Sequence, residues 1–420
     1  MPLTVILRRL LLITILVLPQ WFWIRRGYRL ALNRQARWLH RAVRALLVVG
    51  VVAMIVVLYD RIAHKFIPSS LSAWIAPPVQ LWIFTSTFTF FCLKLIHLIG
   101  WSIVQLKTLF EPPQRSPQNP GRRHLLRQAA TAATSVPFIA AGYGYAFERL
   151  RFEVVRVEVP IASLPSSLVG LRIVQLSDIH VGDYMPLHQV RRAVQIANKL
   201  SPHLAVITGD FLTSQGDPLD ECIAELSLLR APLGVWGCNG NHEIYAGAED
   251  QAEELFSRCG MRLLRQSAAK LTWNGAAFNL IGIDYAHNVP ISGSAAPSLN
   301  GIEPLIRNDI PNILLSHNPN TFHRAAAAGI ELTLAGHTHG GQVNVEILHH
   351  SLNPARFMTA FVSGLYRLPL SADVNLPAAA SRRLASLYVT RGLGTLGVPA
   401  RLGANPEITS LILTSHKASL

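Results

Sequence analysis

The 420-residue sequence predicts an all-α membrane region followed by a layered α/β domain, and three observations carry that division. The formal net charge is +14, but residues 1–150 hold 18 basic and 3 acidic residues while the remaining 270 hold 20 and 21. The basic residues of the first part flank long apolar runs, a pattern of membrane topology rather than of a folded nucleic-acid-binding face. From about residue 150 the pattern changes to short β-branched runs alternating with helical stretches, which argues for a layered α/β domain. With half its residues apolar and 15% charged, the chain is too apolar to be disordered.

In chain order, Leu10 to Ile24 is the first apolar run, behind Arg8 and Arg9 and directly followed by Arg25 and Arg26. No small-residue cleavage site follows it, so it is expected to stay in the membrane. Arg25 to Arg44 hold seven arginines and no acid, which places this loop in the cytoplasm. Ala45 to Tyr59 reads as a span leading out and Asp60 to Ser70 as an external turn. Ser72 to Leu106, broken by Pro77, Pro78 and Lys94, is long enough to return. Residues 1–110 thus read as a multi-span region. Glu111 to Arg127 reads as a Pro-rich, basic cytoplasmic linker. Arg122 and Arg123, with the mild apolar run Ala129 to Phe147, look like a twin-arginine export signal, the alternative being a cytoplasmic anchor charge. Either reading of residues 111–150 sends the chain outward. A globular domain over residues 151–416 would then lie on the extracytoplasmic side of a bacterial inner or cytoplasmic membrane.

In that domain the expected strands are Val154 to Val159, Leu171 to Leu176, Leu204 to Thr208, Leu233 to Trp236 and Phe278 to Ile283. Four more follow at Ile313 to Ser316, Leu332 to Ala335, Ser386 to Thr390 and Ile408 to Leu413. The expected helices are Leu187 to Leu200, Leu219 to Leu229, Glu249 to Arg258 and Thr321 to Ala328. The cysteines Cys222, Cys238 and Cys259 show no CxxC spacing; one disulfide or three buried thiols fit them equally.

Chemistry gathers just after the strands, where open α/β sheets place their ligand sites. The strand ends deliver Asp178 and His180, then Gly209 and Asp210, then Gly240, Asn241, His242 and Glu243. His317 and the run Gly336, His337, Thr338, His339 and Gly340 complete the series. A single strand-end histidine is ordinarily a solvated or core side chain. Five strand ends that each deliver Asp, Asn or His beside a small residue are a different matter, because divalent metals of borderline or hard character take this mixture of imidazole nitrogen and carboxylate or amide oxygen.

The series D-x-H, GD, GNH, H and GHTH resembles the calcineurin-like metallophosphoesterase superfamily. GHTHGGQV from Gly336, SGLYR from Ser363 and LYVTRGLGTLGVPARLGANPEIT from Leu387 look like its bacterial membrane-associated phosphodiesterase branch. The resemblance covers about residues 153–414 and implies a layered β-sandwich flanked by helices. It implies one metal site of Asp178, His180, Asp210 and His339 and a second of Asp210, Asn241, His317 and His337, with Asp210 bridging two divalent ions such as manganese, iron or zinc. It places Asn241 and His242 against the substrate phosphate, with His242 as the acid for the leaving group. The branch commonly has Asp where this sequence has Glu243 and Asn320, and Thr213 stands where purple acid phosphatases carry a ligand Tyr.

A carboxylate with two free edges can bridge ions about 3.5 to 4 Å apart, and a hydroxide held between them attacks phosphorus in line. The expectation is therefore a membrane-tethered binuclear metal-dependent phosphoesterase, a phosphodiesterase in preference to a phosphomonoesterase, cleaving phosphoester or pyrophosphate bonds of a substrate that tethering biases toward lipid-linked ones. A non-catalytic membrane scaffold is the alternative from another class. A nucleic-acid substrate is not expected, because the globular part has no basic excess. Arg391 and Arg401 are candidate phosphate contacts. Cys238 is expected to be a buried thiol, and His188, His203, His287, His323, His349, His350 and His416 ordinary histidines.

Overall fold

The computed structural model describes residues 3–32, 37–62, 69–110, 120–161, 164–285, 299, 301–347, 350–370 and 384–415. The chain separates into two compact units, Met1–Tyr145 and Ala146–Leu420.

The first unit is helical: α1 (Leu3–Leu32), α2 (Arg37–Ile62), α3 (Ser69–Phe110) and α4 (Pro120–Tyr143). Two of these, over His40–Val57 and Trp74–Phe110, are long and apolar enough to cross a membrane. Helix α1 continues past the apolar run on both sides, through Pro19 and the Arg25–Arg26 pair. Helix α3 runs unbroken through Pro77, Pro78 and Lys94 for 42 residues, about 63 Å at the α-helical rise. The linker expected over Glu111 to Arg127 is corrected at its C-terminal end, where Pro120 starts α4; proline is favoured at a first helical position because its missing N–H costs nothing there. The rest, residues 111–119, lies outside the described residues. Buried polar groups pin α1 to α3. The Gln20 amide donates to Ser86 Oγ at 2.8 Å and accepts from Trp82 Nε1 at 2.8 Å, while Trp23 Nε1 donates to the Ser86 carbonyl at 2.9 Å.

The second unit contains fourteen strands and five helices among the described residues. In order these are β1 (Glu153–Ile161), β2 (Arg172–Leu176), α5 (Leu187–Lys199), β3 (Leu204–Thr208), α6 (Leu219–Leu226) and β4 (Val235–Cys238). Then come α7 (Asn241–Ala246), α8 (Glu249–Arg258), β5 (Arg262–Leu263), β6 (Ser267–Trp273), β7 (Ala276–Gly282), β8 (Asn312–Leu315) and α9 (Phe322–Ala327). The last are β9 (Leu332–Ala335), β10 (Val345–Ile347), β11 (His350–Leu352), β12 (Gly364–Pro369), β13 (Leu384–Val389) and β14 (Glu407–Ser415).

Two six-stranded sheets form, ordered β1-β14-β2-β3-β4-β5 and β12-β13-β9-β8-β7-β6. Strands β2, β3, β4 and β5 are parallel, as are β7, β8, β9 and β13. Parallel strands covered on both faces should be apolar without alternation, and β3, β8 and β9 are buried along their whole length. Between the sheets, Ile173, Val206 and Leu411 of one pack with Leu280, Ile313 and Leu334 of the other. Helices α5, α6 and α8 cover the outer face of the first sheet through Val190, Ile223 and Phe256. Helix α9 covers the second through Phe322 and Ala325. The result is the layered β-sandwich flanked by helices that the sequence predicts.

The strand expected over Leu233 to Trp236 is displaced two residues, because Gly234, at φ +85°, forms the turn that precedes it. Helix α6 ends at Leu226, short of the expected Leu229. Strands β6 and β12, not anticipated, are sheet edges; their half-exposed residues and terminal Pro369 mask the pattern that buried strands show. The cysteines are free, and Cys259 is exposed while Cys222 and Cys238 are buried. His287, His349 and His416 lie outside the described residues.

Candidate metal centre

Strands β2, β3 and β4 are neighbours in one sheet and β8 and β9 in the other, so their C-terminal ends open onto one place. The backbone turns sharply there. Asp178, His180, Asp210, His337 and His339 all have positive φ, between 49° and 74°, a region non-glycine residues seldom occupy and one that clusters at functional sites. Glycines give these turns room. A Cβ on Gly240 would collide with the Asp210 carboxylate, and one on Gly336 with Ser177 and Asp178.

The structure brings Asp178, His180, Asp210, His242, His317, His337 and His339 into this one cluster, with Asn241 buried next to His242 in the chain; His337 is the most accessible of them. Donor atoms fall into three groups within 4.8 Å: Asp178, His180 and His339; His180, Asp210 and His242; and Asp210, His317 and His337. Asp210 Oδ2 lies 3.6 Å from His180 Nε2 and 3.0 Å from His317 Nε2, so one carboxylate oxygen faces both sides. Asp178 Oδ1 stands 3.4 Å from His339 Nε2 and 3.9 Å from His317 Nε2.

Several of these atoms lack the hydrogen bond that burial demands. Asn241 Oδ1 and His339 Nδ1 are buried without a partner, and His317 Nε2 has only the Asp210 carboxylate, 3.0 Å away. His180 Nε2 and His339 Nε2 sit 3.1 Å apart, two imidazole nitrogens aimed at one point. Acceptor atoms converging on each other, with a buried amide oxygen left over, fit a cation as the missing partner.

The surrounding hydrogen bonds fix how each donor points. His317 Nδ1 lies 2.6 Å from the Thr208 carbonyl and His242 Nδ1 2.6 Å from the Thr213 carbonyl. A carbonyl only accepts, so both rings carry their proton on Nδ1 and turn Nε2 inward. Thr213 Oγ1 also meets His180 Nδ1 at 3.2 Å. The His242 backbone N–H donates to Asp210 Oδ1, leaving Oδ2 for the site. Glu243, absent from the sequence-predicted donors, is fully buried and accepts from the backbone N–H groups of Asp210, Phe211 and Gly240 at 2.9, 2.7 and 2.7 Å, and from Leu212 at 3.4 Å. It holds the two loops that carry Asp210 and Asn241 together. Across the sheets, Asn239 Nδ2 donates to Asp284, which also accepts from Arg265.

Electrostatics follow from burial and crowding. Burial pushes Asp178 up to about 6 and His180 and His337 down to about 3. Burial opposes the imidazolium of His317 too, but the charges of Asp210 and Asp178 outweigh it and raise its pKa to about 10. Asp210 moves the opposite way: His317 overcomes its burial and holds it well below the usual carboxylate range. The pocket thus prefers a positive charge between its two aspartates, and a divalent ion competes with the proton for that place.

Arg391 and Arg401 are committed elsewhere. Arg391 donates to Glu407 at 2.8 Å and Glu153 at 2.9 Å. Arg401 is fully buried and donates to the carbonyls of His339, Arg391, Gly392, Gly394 and Ala404. Its guanidinium therefore serves the loops behind the centre, which corrects its reading as a phosphate contact. Tyr245, exposed, lies 5.6 Å from the His242 ring, and half-buried Tyr285 lies 5.4 Å from that of His337. Neither tyrosine belongs to a sequence motif.

Fold and site together define an α/β domain of two packed sheets around a buried cluster of aspartates and histidines able to hold divalent metal ions. Residues 171–341 match the family described as Calcineurin-like phosphoesterase, so the globular part of the chain contains a calcineurin-like metallophosphoesterase domain. The chain is 33% identical over 292 residues to a "Transmembrane protein with metallophosphoesterase domain" of Danio rerio, covering 67% of this chain and 62% of that protein. It is 28% identical over 295 residues to "Phosphodiesterase YaeI" of Escherichia coli, covering 70% and 98%. It is 26% identical over 305 residues to "UDP-2,3-diacylglucosamine pyrophosphatase LpxG" of Chlamydia muridarum, covering 63% and 90%. The match thus spans less than two thirds of the transmembrane relative.

Proposed function

We propose that the protein is a membrane-tethered, metal-dependent phosphoesterase that acts on phosphodiesters or pyrophosphate-linked lipid head groups, with its globular part on the extracytoplasmic side. The observation that carries the reading is Asp210, whose single oxygen Oδ2 faces His180 on one side and His317 on the other. Asp178, His180, Asp210 and His339 would hold one ion, and Asp210, Asn241, His317 and His337 a second. When bound, such ions supply positive charge for the phosphoryl oxygens and a deprotonated water at neutral pH.

The chain's own groups do the rest. His242 is fixed by the Thr213 carbonyl with Nε2 turned to the centre; there it would hold the proton delivered to the departing oxygen. Asn241 would orient the phosphoryl group beside it, and Tyr245 and Tyr285 frame the leaving group. Two helices able to span a bilayer support tethering, as does the transmembrane relative. The pyrophosphatase relative supports a lipid-linked substrate.

The test is turnover of an aryl phosphodiester by the full chain with manganese. Asp210→Asn keeps the shape and removes the shared charge, so turnover should fall by more than about 100-fold, beyond the loss that follows removal of a partner to a metal ligand. Unchanged turnover would reject the mechanism. His242→Ala should lower diester turnover with metal content intact.

A further inference from the structure

Helix α1 carries a second concentration of chemistry that phosphoester cleavage does not use. Gln20 pairs with Ser86, and the rings of Phe22 and Phe90 touch at 5.3 Å, so residue numbers on α1 and α3 rise together and the two helices run parallel. A cleft of about 670 Å³ opens between them, lined by Leu18, Trp21, Phe22 and Phe90 at one end. Arg25, Arg26, Arg29 and Lys94 line the other. The volume suits a small-molecule ligand.

The sequence builds this amphipathic profile. Leu18, Phe22, Arg25 and Arg29 recur at helical spacing on one face of α1, and Phe90 and Lys94 are one turn apart on α3. Lys94 stands over the Phe22 and Phe90 rings at 5.7 and 5.5 Å. Arg25, Arg26 and Arg29 are exposed, and none forms an ion pair or hydrogen bond among the described residues. Neighbouring Arg44, by contrast, is occupied by the Tyr28 hydroxyl and ring. Asp60 and Glu111 are the only acidic residues in the sequence of this unit. Four like charges in one cleft repel each other unless an anion joins them, and a cation within an apolar helix marks a functional position whose partner must be found.

We infer that this cleft binds an anionic glycerophospholipid, its phosphate among Arg25, Arg26, Arg29 and Lys94 and its acyl chains along Leu18, Trp21 and Phe90. Basic pockets between membrane helices recognise such head groups. The inference rests on the membrane reading above, and it adds a structural lipid site separate from the substrate's.

The test is native mass spectrometry of the full chain in detergent micelles, with phosphatidylglycerol or phosphatidylcholine added at equal concentration. The chain should retain phosphatidylglycerol with at least about tenfold preference, and Lys94→Gln should cut that preference about fivefold, the worth of one basic residue near an anionic surface. Lys94→Arg should keep it, and Arg29→Gln, near the helix end, should repeat the loss if Lys94→Gln fails to fold. Equal retention of the two lipids overturns the proposal. Displacement of phosphatidylglycerol by inorganic phosphate overturns it too, by assigning the cleft to a free anion. A chain that leaves the membrane fraction without detergent refutes both the membrane reading and this site, whereas a detergent-dependent chain without lipid preference refutes the site alone.

Discussion

Replacing Glu243 by Gln exchanges one acceptor oxygen for an NH2 group in a place where every hydrogen bond comes from a donor. Oε2 serves the backbone N–H groups of Asp210 and Gly240, and Oε1 those of Phe211 and, at 3.4 Å, Leu212. Whichever way the amide turns, two buried N–H groups lose their acceptor. It should turn its NH2 toward the weaker pair, leaving one strong and one long bond unmade. At about 1–3 kcal/mol for each unsatisfied buried donor, the cost is about 2–4 kcal/mol. For a domain of this size that corresponds to a fall in Tm of about 4–8 °C. Burial and the neighbouring Asp210 charge raise the Glu243 pKa to about 7, so the comparison belongs at pH 8, where the carboxylate is ionised. The assay is thermal unfolding of the full manganese-loaded chain in detergent, followed by tryptophan fluorescence. Gln fills the same volume, so no cavity confuses the result. A Tm within about 1 °C of wild type would refute the view that this carboxylate fastens the Asp210 and Asn241 loops.

Three further outcomes follow from other parts of the molecule. Arg401→Met should leave several buried carbonyls unpaired and cost about 3 kcal/mol or more, with Arg401→Lys in between; melting of both variants orders them. His203 accepts the Arg172 N–H on Nδ1 at 3.1 Å and stacks on Trp273. Burial, then the Arg172 charge, hold its pKa below the usual imidazole value. The unfolded chain then binds the proton more readily, so this stability is full above about pH 6.5 and is lost as pH falls through the folded value. Accordingly, His203→Gln should show a smaller drop in Tm between pH 7 and pH 5 than wild type. Finally, exposed Cys259 should react on intact cells with a membrane-impermeant thiol reagent, and Cys259→Ser should abolish the signal; labelling only after lysis would reverse the assigned side.

The donors of the centre were legible because they follow the ends of apolar strands beside a small residue, as at Asp178 after Ser177, Asp210 after Gly209 and His337 after Gly336. Strands β3 and β9 were legible to the residue for a related reason: both are buried throughout, and their apolar runs end where the site begins. Glu243 was not, since its role depends on backbone groups some thirty positions away that only folding brings to it. Thr213 escaped similarly, because its carbonyl and hydroxyl serve two different histidines. The arginines show the limit from the other side. Arginine's affinity for phosphate is visible in a sequence, but the carboxylates that occupy Arg391, at Glu407 and distant Glu153, are not. Nor could the sequence show that Arg401 faces backbone carbonyls alone.

Metal content tests the central claim most directly. The full chain, purified in detergent and exchanged into manganese, should carry about two ions, the number a shared-carboxylate centre holds, and His317→Ala should lower that number. Fewer than about one ion per chain, unchanged by added manganese, would contradict a two-metal centre.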